Sequence, residues 1–190
     1  MRPTLIAVLA GGQSRRLGTD KARLRIGDVT WLERAARTAA GTGLPVAVVG
    51  RPRPDDWSGP DAAFLDDAPA GVGPIGGLMA ALAAADGPVL AVGCDTPRLD
   101  RAAYAWLLEG AASGAGPLGL GTRTEGGLEP LFSVYGPDVR PVAEAHVDHG
   151  RRSLHALLEA PGFVVVDAPP PVATALTNVN TPEDLARLSL

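Results

Sequence analysis

The stretch Leu9-Ala10-Gly11-Gly12-Gln13-Ser14-Arg15-Arg16-Leu17-Gly18-Thr19-Asp20-Lys21 combines adjacent glycines with three cations. Glycine lacks a Cβ and takes backbone angles closed to other residues. The N–H groups of such a loop, from Leu9 and Ala10 through Gly11 and Gly12, can therefore converge on an anion. Arg15, Arg16 and Lys21 add full positive charge to the same stretch. The chemistry on offer is the grip of a phosphate chain. A Walker A loop has Lys-Ser/Thr directly after its second glycine, whereas Thr19-Asp20 intervene here between Gly18 and Lys21. The dinucleotide fingerprint G-x-G-x-x-G needs spaced glycines, and these are adjacent. A plain strand-to-helix turn explains neither the length nor the clustered charge.

Three more polar motifs follow. Asp66-Asp67 precedes Gly71-Val72-Gly73-Pro74-Ile75-Gly76-Gly77. Glycines at that density, Gly76 and Gly77 among them, let backbone approach a flat ligand. A carboxylate such as Asp66 can accept from a guanine edge or a ribose hydroxyl. Cys94-Asp95-Thr96-Pro97 places a carboxylate where Mg²⁺, which prefers oxygen donors and keeps waters and substrate phosphates, finds a ligand. Cys94 itself reads as core, because no His is near it in sequence to activate it. In Asn178-Val179-Asn180-Thr181-Pro182-Glu183-Asp184, Thr181 can cap a helix, and the two asparagines point to one side of an extended chain. Arg151 and Arg152 could hold a phosphate or be a solvated helix start. His146, His149 and His155 lack a metal-ligand arrangement.

Strand-like runs alternate with helix-like ones and must carry these motifs. Thr4–Val8, Pro45–Gly50, Ala62–Leu65 and Pro88–Gly93 read as strands. Helices are expected over Trp31–Ala40 (capped by Asp28 or Thr30), Pro74–Ala85 and Arg101–Ala111. Near-continuous apolar strands predict a parallel sheet covered on both faces, with ligands beyond the strands' carboxyl ends. Further on, Pro117–Thr122, Pro130–Tyr135 and Phe163–Val166 read as strands, and Arg151–Ala160 and Pro182–Leu188 as helices. Pro169-Pro170-Pro171 reads as a stiff connection. The expectation is one α/β domain over residues 1–190, three-layered and Rossmann-like, with a mostly parallel sheet.

Length suits one domain. A net charge of −4 gives no global basic field, which argues against nucleic acid or a membrane as partner. The lone cysteine excludes an internal disulfide and fits a reducing compartment. No cleavable signal pattern opens the chain and no apolar run nears the ~20 residues of a membrane span, so a cytoplasmic protein is expected.

Leu-Ala-Gly-Gly-x-Ser-x-Arg-Leu-Gly-x-Asp-Lys-Ala resembles the signature loop of the MobA-like nucleotidyltransferases. Those usually carry Met or Phe in place of Leu17, a modest apolar swap. The resemblance extends through Asp66 and the Gly-Pro-Ile-Gly-Gly turn, Cys94–Pro97, Glu129–Tyr135, Gly150–Leu154 and Asn178–Asp184. It implies the nucleotide-diphospho-sugar transferase type of fold. It also implies transfer of GMP from GTP to molybdenum-bound molybdopterin, with Mg²⁺ on Asp95. Arg16, Lys21 and Asp95 would be the catalytic residues. Leu9, Ala10, Gly11, Gly12, Asp66, Gly76 and Gly77 would hold the nucleotide, and Asn178 and Asn180 would face the acceptor and the metal neighbourhood. Proteins that deliver the cofactor or mature molybdoenzymes would be partners. Two alternatives stay open: a cytidylyltransferase for the same cofactor, and a non-catalytic nucleotide-binding regulatory module.

Overall fold

Leu5–Leu9 is apolar at every position and buried at every position, and this strand, β1, lies inside the sheet with a parallel neighbour on each side. The computed structural model describes residues 1–11 and 20–179. Gly12, Arg16, Asn180 and the helix expected over Pro182–Leu188 lie outside the described residues. The other strands are β2 (Arg25–Ile26), β3 (Val29–Thr30), β4 (Val46–Val49), β5 (Ala63–Leu65), β6 (Val89–Gly93), β7 (Gly119–Thr124), β8 (Gly127–Leu128), β9 (Phe132–Tyr135) and β10 (Phe163–Asp167). The helices are α1 (Trp31–Ala40), α2 (Pro74–Ala84), α3 (Arg101–Gly114), α4 (Val139–Asp148), α5 (Leu154–Leu158) and α6 (Pro170–Ala175), with a 3-10 turn over Lys21–Arg23.

The main sheet runs in the order β10-β7-β9-β6-β1-β4-β5. β9 is antiparallel to both of its neighbours, and β8 pairs antiparallel with β7. The remaining pairings in this sheet are parallel. β2 and β3 form a separate antiparallel hairpin.

Alternation along β1 divides the core in two. Ile6 and Val8 join Leu32 and Ala36 of α1 and Tyr104 and Leu107 of α3 on one face. Leu5, Ala7 and Leu9 join Ile75 and Leu78 of α2, Val139 of α4 and Leu157 of α5 on the other. Helices on both faces of one sheet make the expected three layers. Among the described residues, no helix is long and apolar enough to cross a membrane.

Two expectations are corrected. The helix expected over Arg151–Ala160 shrinks to α5, because Ser153 stands outside it as the cap, its hydroxyl accepting from the Ala156 N–H. The triple proline is no mere connection, because Pro170 and Pro171 open α6, where a missing N–H costs nothing.

α1 begins with a capping box. The Thr30 hydroxyl accepts from the Glu33 N–H, and the Glu33 carboxylate accepts from the Thr30 N–H at 2.9 Å. That carboxylate, only 3% exposed, also takes the Ser58 N–H and hydroxyl, both at 2.8 Å. Burial alone would raise the Glu33 pKa, but these hydrogen bonds with Thr30 and Ser58 outweigh it and hold the group at about 2. A carboxyl depressed on folding contributes stability above its unfolded pKa and loses it as pH falls through the folded value. Here the loss runs from about pH 4.5 down to about 2, and it amounts to about 3 kcal/mol. Denaturant titrations at stepped pH check this: the difference in stability between wild type and Glu33→Gln should shrink across that window. A constant difference would contradict it.

Candidate active site

The chain proceeds from β1 outward through β4 and β5, then crosses to the other side of β1 as β6. Loops leaving β1 and β6 therefore diverge at a topological switch point, where open α/β sheets leave a crevice. A cleft of about 550 Å³ lies there. Leu9, Ala10 and Gly11 line it at the end of β1, and Gly93, Cys94 and Asp95 line it at the end of β6. Lys21 and Leu131 also line it.

Lys21 opens the 3-10 turn, which Asp20 caps by accepting from the Ala22 N–H at 3.1 Å. Its Nζ stands 3.7 Å from Asp95 Oδ2, with the two side chains 16% and 27% exposed. The glycine signature and the acid beyond β6, far apart in sequence, thus share one cleft. Asp95 folds back over Gly93, where any Cβ would stand 2.6 Å from Oδ1. Its turn is tied down from two sides. Arg34 Nε donates to the Pro97 carbonyl at 2.6 Å, and the Val179 N–H donates to the Asp95 carbonyl at 3.1 Å. The second bond brings Val179, and Asn178 beside it, to Asp95; Asn178 is exposed and Val179 buried.

The cleft takes Asp67, where the sequence pointed to Asp66. Asp66 is exposed and absent from the wall, whereas Asp67 lines it. The Asp67 carboxylate lies among three glycine backbones: Cβ atoms at Gly11, Gly50 and Gly77 would come within 3.2, 3.0 and 3.1 Å of its oxygens. Burial, with the Asp66 charge adding, raises its pKa above the usual value. Gly76 and Gly77 are buried in the first turn of α2, behind the wall; Gly71, Gly73 and Pro74 line it instead. Gly50 is obligatory on two counts: its φ is +87°, and a Cβ there would stand 2.7 Å from the Gly11 Cα.

Arg51 is the residue that motif reading missed, since it sits in a Pro- and Asp-rich loop. Its guanidinium holds Ala10 and Asp20 together. Arg152 reaches the cleft rim, donating to the Gly71 carbonyl at 3.4 Å. Glu129, bonded by the Thr124 hydroxyl at 2.8 Å, has a pKa raised by burial, with Thr124 and His155 opposing and Asp95 adding to the rise.

Cys94 lines the cleft but is no nucleophile. Burial, with the Asp95 charge adding, pushes its thiol up to about 12. At pH 7.5 its alkylation by iodoacetamide is expected to be slower than that of a free thiol by about two to three orders of magnitude. Labelling at a comparable rate would contradict this burial.

A mostly parallel sheet with a cleft at its switch point, lined by a lysine and an aspartate 3.7 Å apart, is suited to holding a nucleotide. The chain belongs to the MobA-like NTP transferase domain family, whose model matches residues 6–166. A protein of Opitutus terrae named "Probable molybdenum cofactor guanylyltransferase" is 35% identical, over 95% of this chain and 92% of its own length. One of the same name from Synechococcus elongatus is 34% identical, over 96% of each. The solved molybdopterin-guanine dinucleotide biosynthesis protein A of Archaeoglobus fulgidus superposes with a TM-score of 0.78 at 25% identity, covering 96% of this chain and 95% of that one.

Proposed function

We propose that this chain, acting as a single catalytic domain, transfers GMP from GTP to the terminal phosphate of molybdenum-bound molybdopterin. An acceptor phosphate oxygen bonds to the α-phosphorus, the α–β bridging bond breaks, and pyrophosphate leaves. The observation that carries the reading is the 3.7 Å approach of Lys21 to Asp95 in a cleft lined by Gly11, just past the end of β1. The names borne by the relatives support guanine as the base and molybdopterin as the acceptor.

The acceptor phosphate is ionised at neutral pH, so no general base is needed, and catalysis reduces to positioning and charge neutralisation. Lys21 would take the charge that develops on the departing pyrophosphate. Gly11 and the neighbouring N–H groups, with Gly12 and Arg16, would hold the β- and γ-phosphates. Asp67 and the Gly71–Pro74 turn would line the nucleoside, and Asn178 and Asn180 would face the acceptor.

The donor set fits Mg²⁺. A carboxylate such as Asp95, lining the cleft, suits an ion that prefers oxygen donors and fills the rest of its shell with water and phosphate oxygens. Asp95 would hold it, and the bound ion would supply further neutralisation of phosphate charge. Competitive binding of GTP and CTP tests the base: GTP is expected to bind tighter, and a preference for CTP would overturn the guanine assignment.

A further inference from the structure

We infer that Arg51 is a positioning residue for nucleotidyl transfer, setting the place of Lys21 through Asp20; this rests on the reading of the cleft given above. All three nitrogens of its guanidinium are engaged. Nε donates to the Ala10 carbonyl at 3.1 Å, and the two terminal nitrogens donate to the Asp20 carboxylate at 3.2 and 3.0 Å. The Ala10 N–H already donates to the Val49 carbonyl at 2.9 Å. Both backbone groups of the residue leaving β1 are thus tied to the end of β4 and the arginine that follows it. The chain comes back at Asp20, and the same guanidinium receives it.

Asp20 also caps the turn that begins with Lys21. Its orientation therefore fixes the direction in which the lysine leaves the backbone. A planar fork on a carboxylate holds angle as well as distance, which an ammonium does not. Arg51 is only 16% exposed and Asp20 39%, so water screens the pair from the carboxylate side alone. Asp20 lines the cleft as well. Unpaired, its carboxylate would oppose an entering triphosphate, and Arg51 cancels that charge.

A residue that works through Lys21 must lose most of its influence once Lys21 is gone. Pyrophosphate release by the full chain is measured for wild type, Arg51→Ala, Arg51→Lys, Lys21→Ala and the Arg51/Lys21 double variants, with melting temperatures to confirm folding. Arg51→Ala is expected to lower kcat/KM about 10²-fold. Arg51→Lys, which keeps the charge and loses the fork, is expected to cost about tenfold. Lys21→Ala should cost about 10²-fold in the wild type and under about threefold once Arg51 is Ala. If Arg51→Ala does not fold, Arg51→Lys carries the cycle. Multiplying losses in the double variant would overturn the inference, as would wild-type kcat/KM in a folded Arg51→Lys or Arg51→Ala protein. Should the wild type prefer another nucleoside triphosphate, the guanine assignment falls and the same cycle, run with that nucleotide, still decides Arg51. Should it release pyrophosphate from none, both fall.

Discussion

The Asp95→Asn protein is expected to fold normally and to lose about 10³-fold or more in kcat, together with its response to Mg²⁺. The exchange keeps the shape of the side chain and removes its charge. Its ion pair with Lys21 is 27% open on the Asp95 side, so its loss costs the fold about 1 kcal/mol or less. The backbone ties from Arg34 to Pro97 and from Val179 to Asp95 do not involve the carboxylate, so the turn keeps its place. A large fall in rate with an unchanged melting temperature therefore reports chemistry. Steady-state rates over a Mg²⁺ titration check it, and activity that survives with the same metal dependence would clear Asp95.

Lys21→Ala is expected to lower kcat/KM by about 10²-fold or more, with the larger part in kcat if the ammonium meets charge that grows as pyrophosphate departs. The side chain is 16% exposed and 3.7 Å from a carboxylate, an environment in which its interaction with phosphate is stronger than in open water. Lys21→Arg preserves the charge but not the compact ammonium, and should recover only part of the rate. Unchanged turnover in a folded Lys21→Ala protein would remove it from the site.

The half of the fold around β1 was legible because its signals are local. Apolar runs at β1, β4 and β6 mark strands buried on both faces. The Trp31, Leu32 and Ala36 stripe marks α1 to the residue, and the cap, open between Asp28 and Thr30 in the sequence, falls to Thr30. Such runs report burial and carry no direction, so the antiparallel β9 could not be read from Phe132–Tyr135. α4 buries only Val139 and Ala143 and carries Pro141 in its first turn, which leaves little helical pattern to find. In the site, Asp95 and Lys21 announce themselves by type and motif. The choice between Asp66 and Asp67 turns on which of two successive residues faces the cleft, and only the strand's register decides that. Arg51 acts through atoms of Ala10 and Asp20, both remote in sequence, so its role exists only once β1 and β4 are paired.

The most direct measurement is pyrophosphate release by the wild-type chain given GTP and molybdenum-loaded molybdopterin, with and without Mg²⁺, and with each substrate omitted in turn. Release is expected only when nucleotide, acceptor and metal are all present, and is expected to be lost in Asp95→Asn. Tight GTP binding with no release under the complete conditions would contradict it and leave a nucleotide-binding module in place of a transferase.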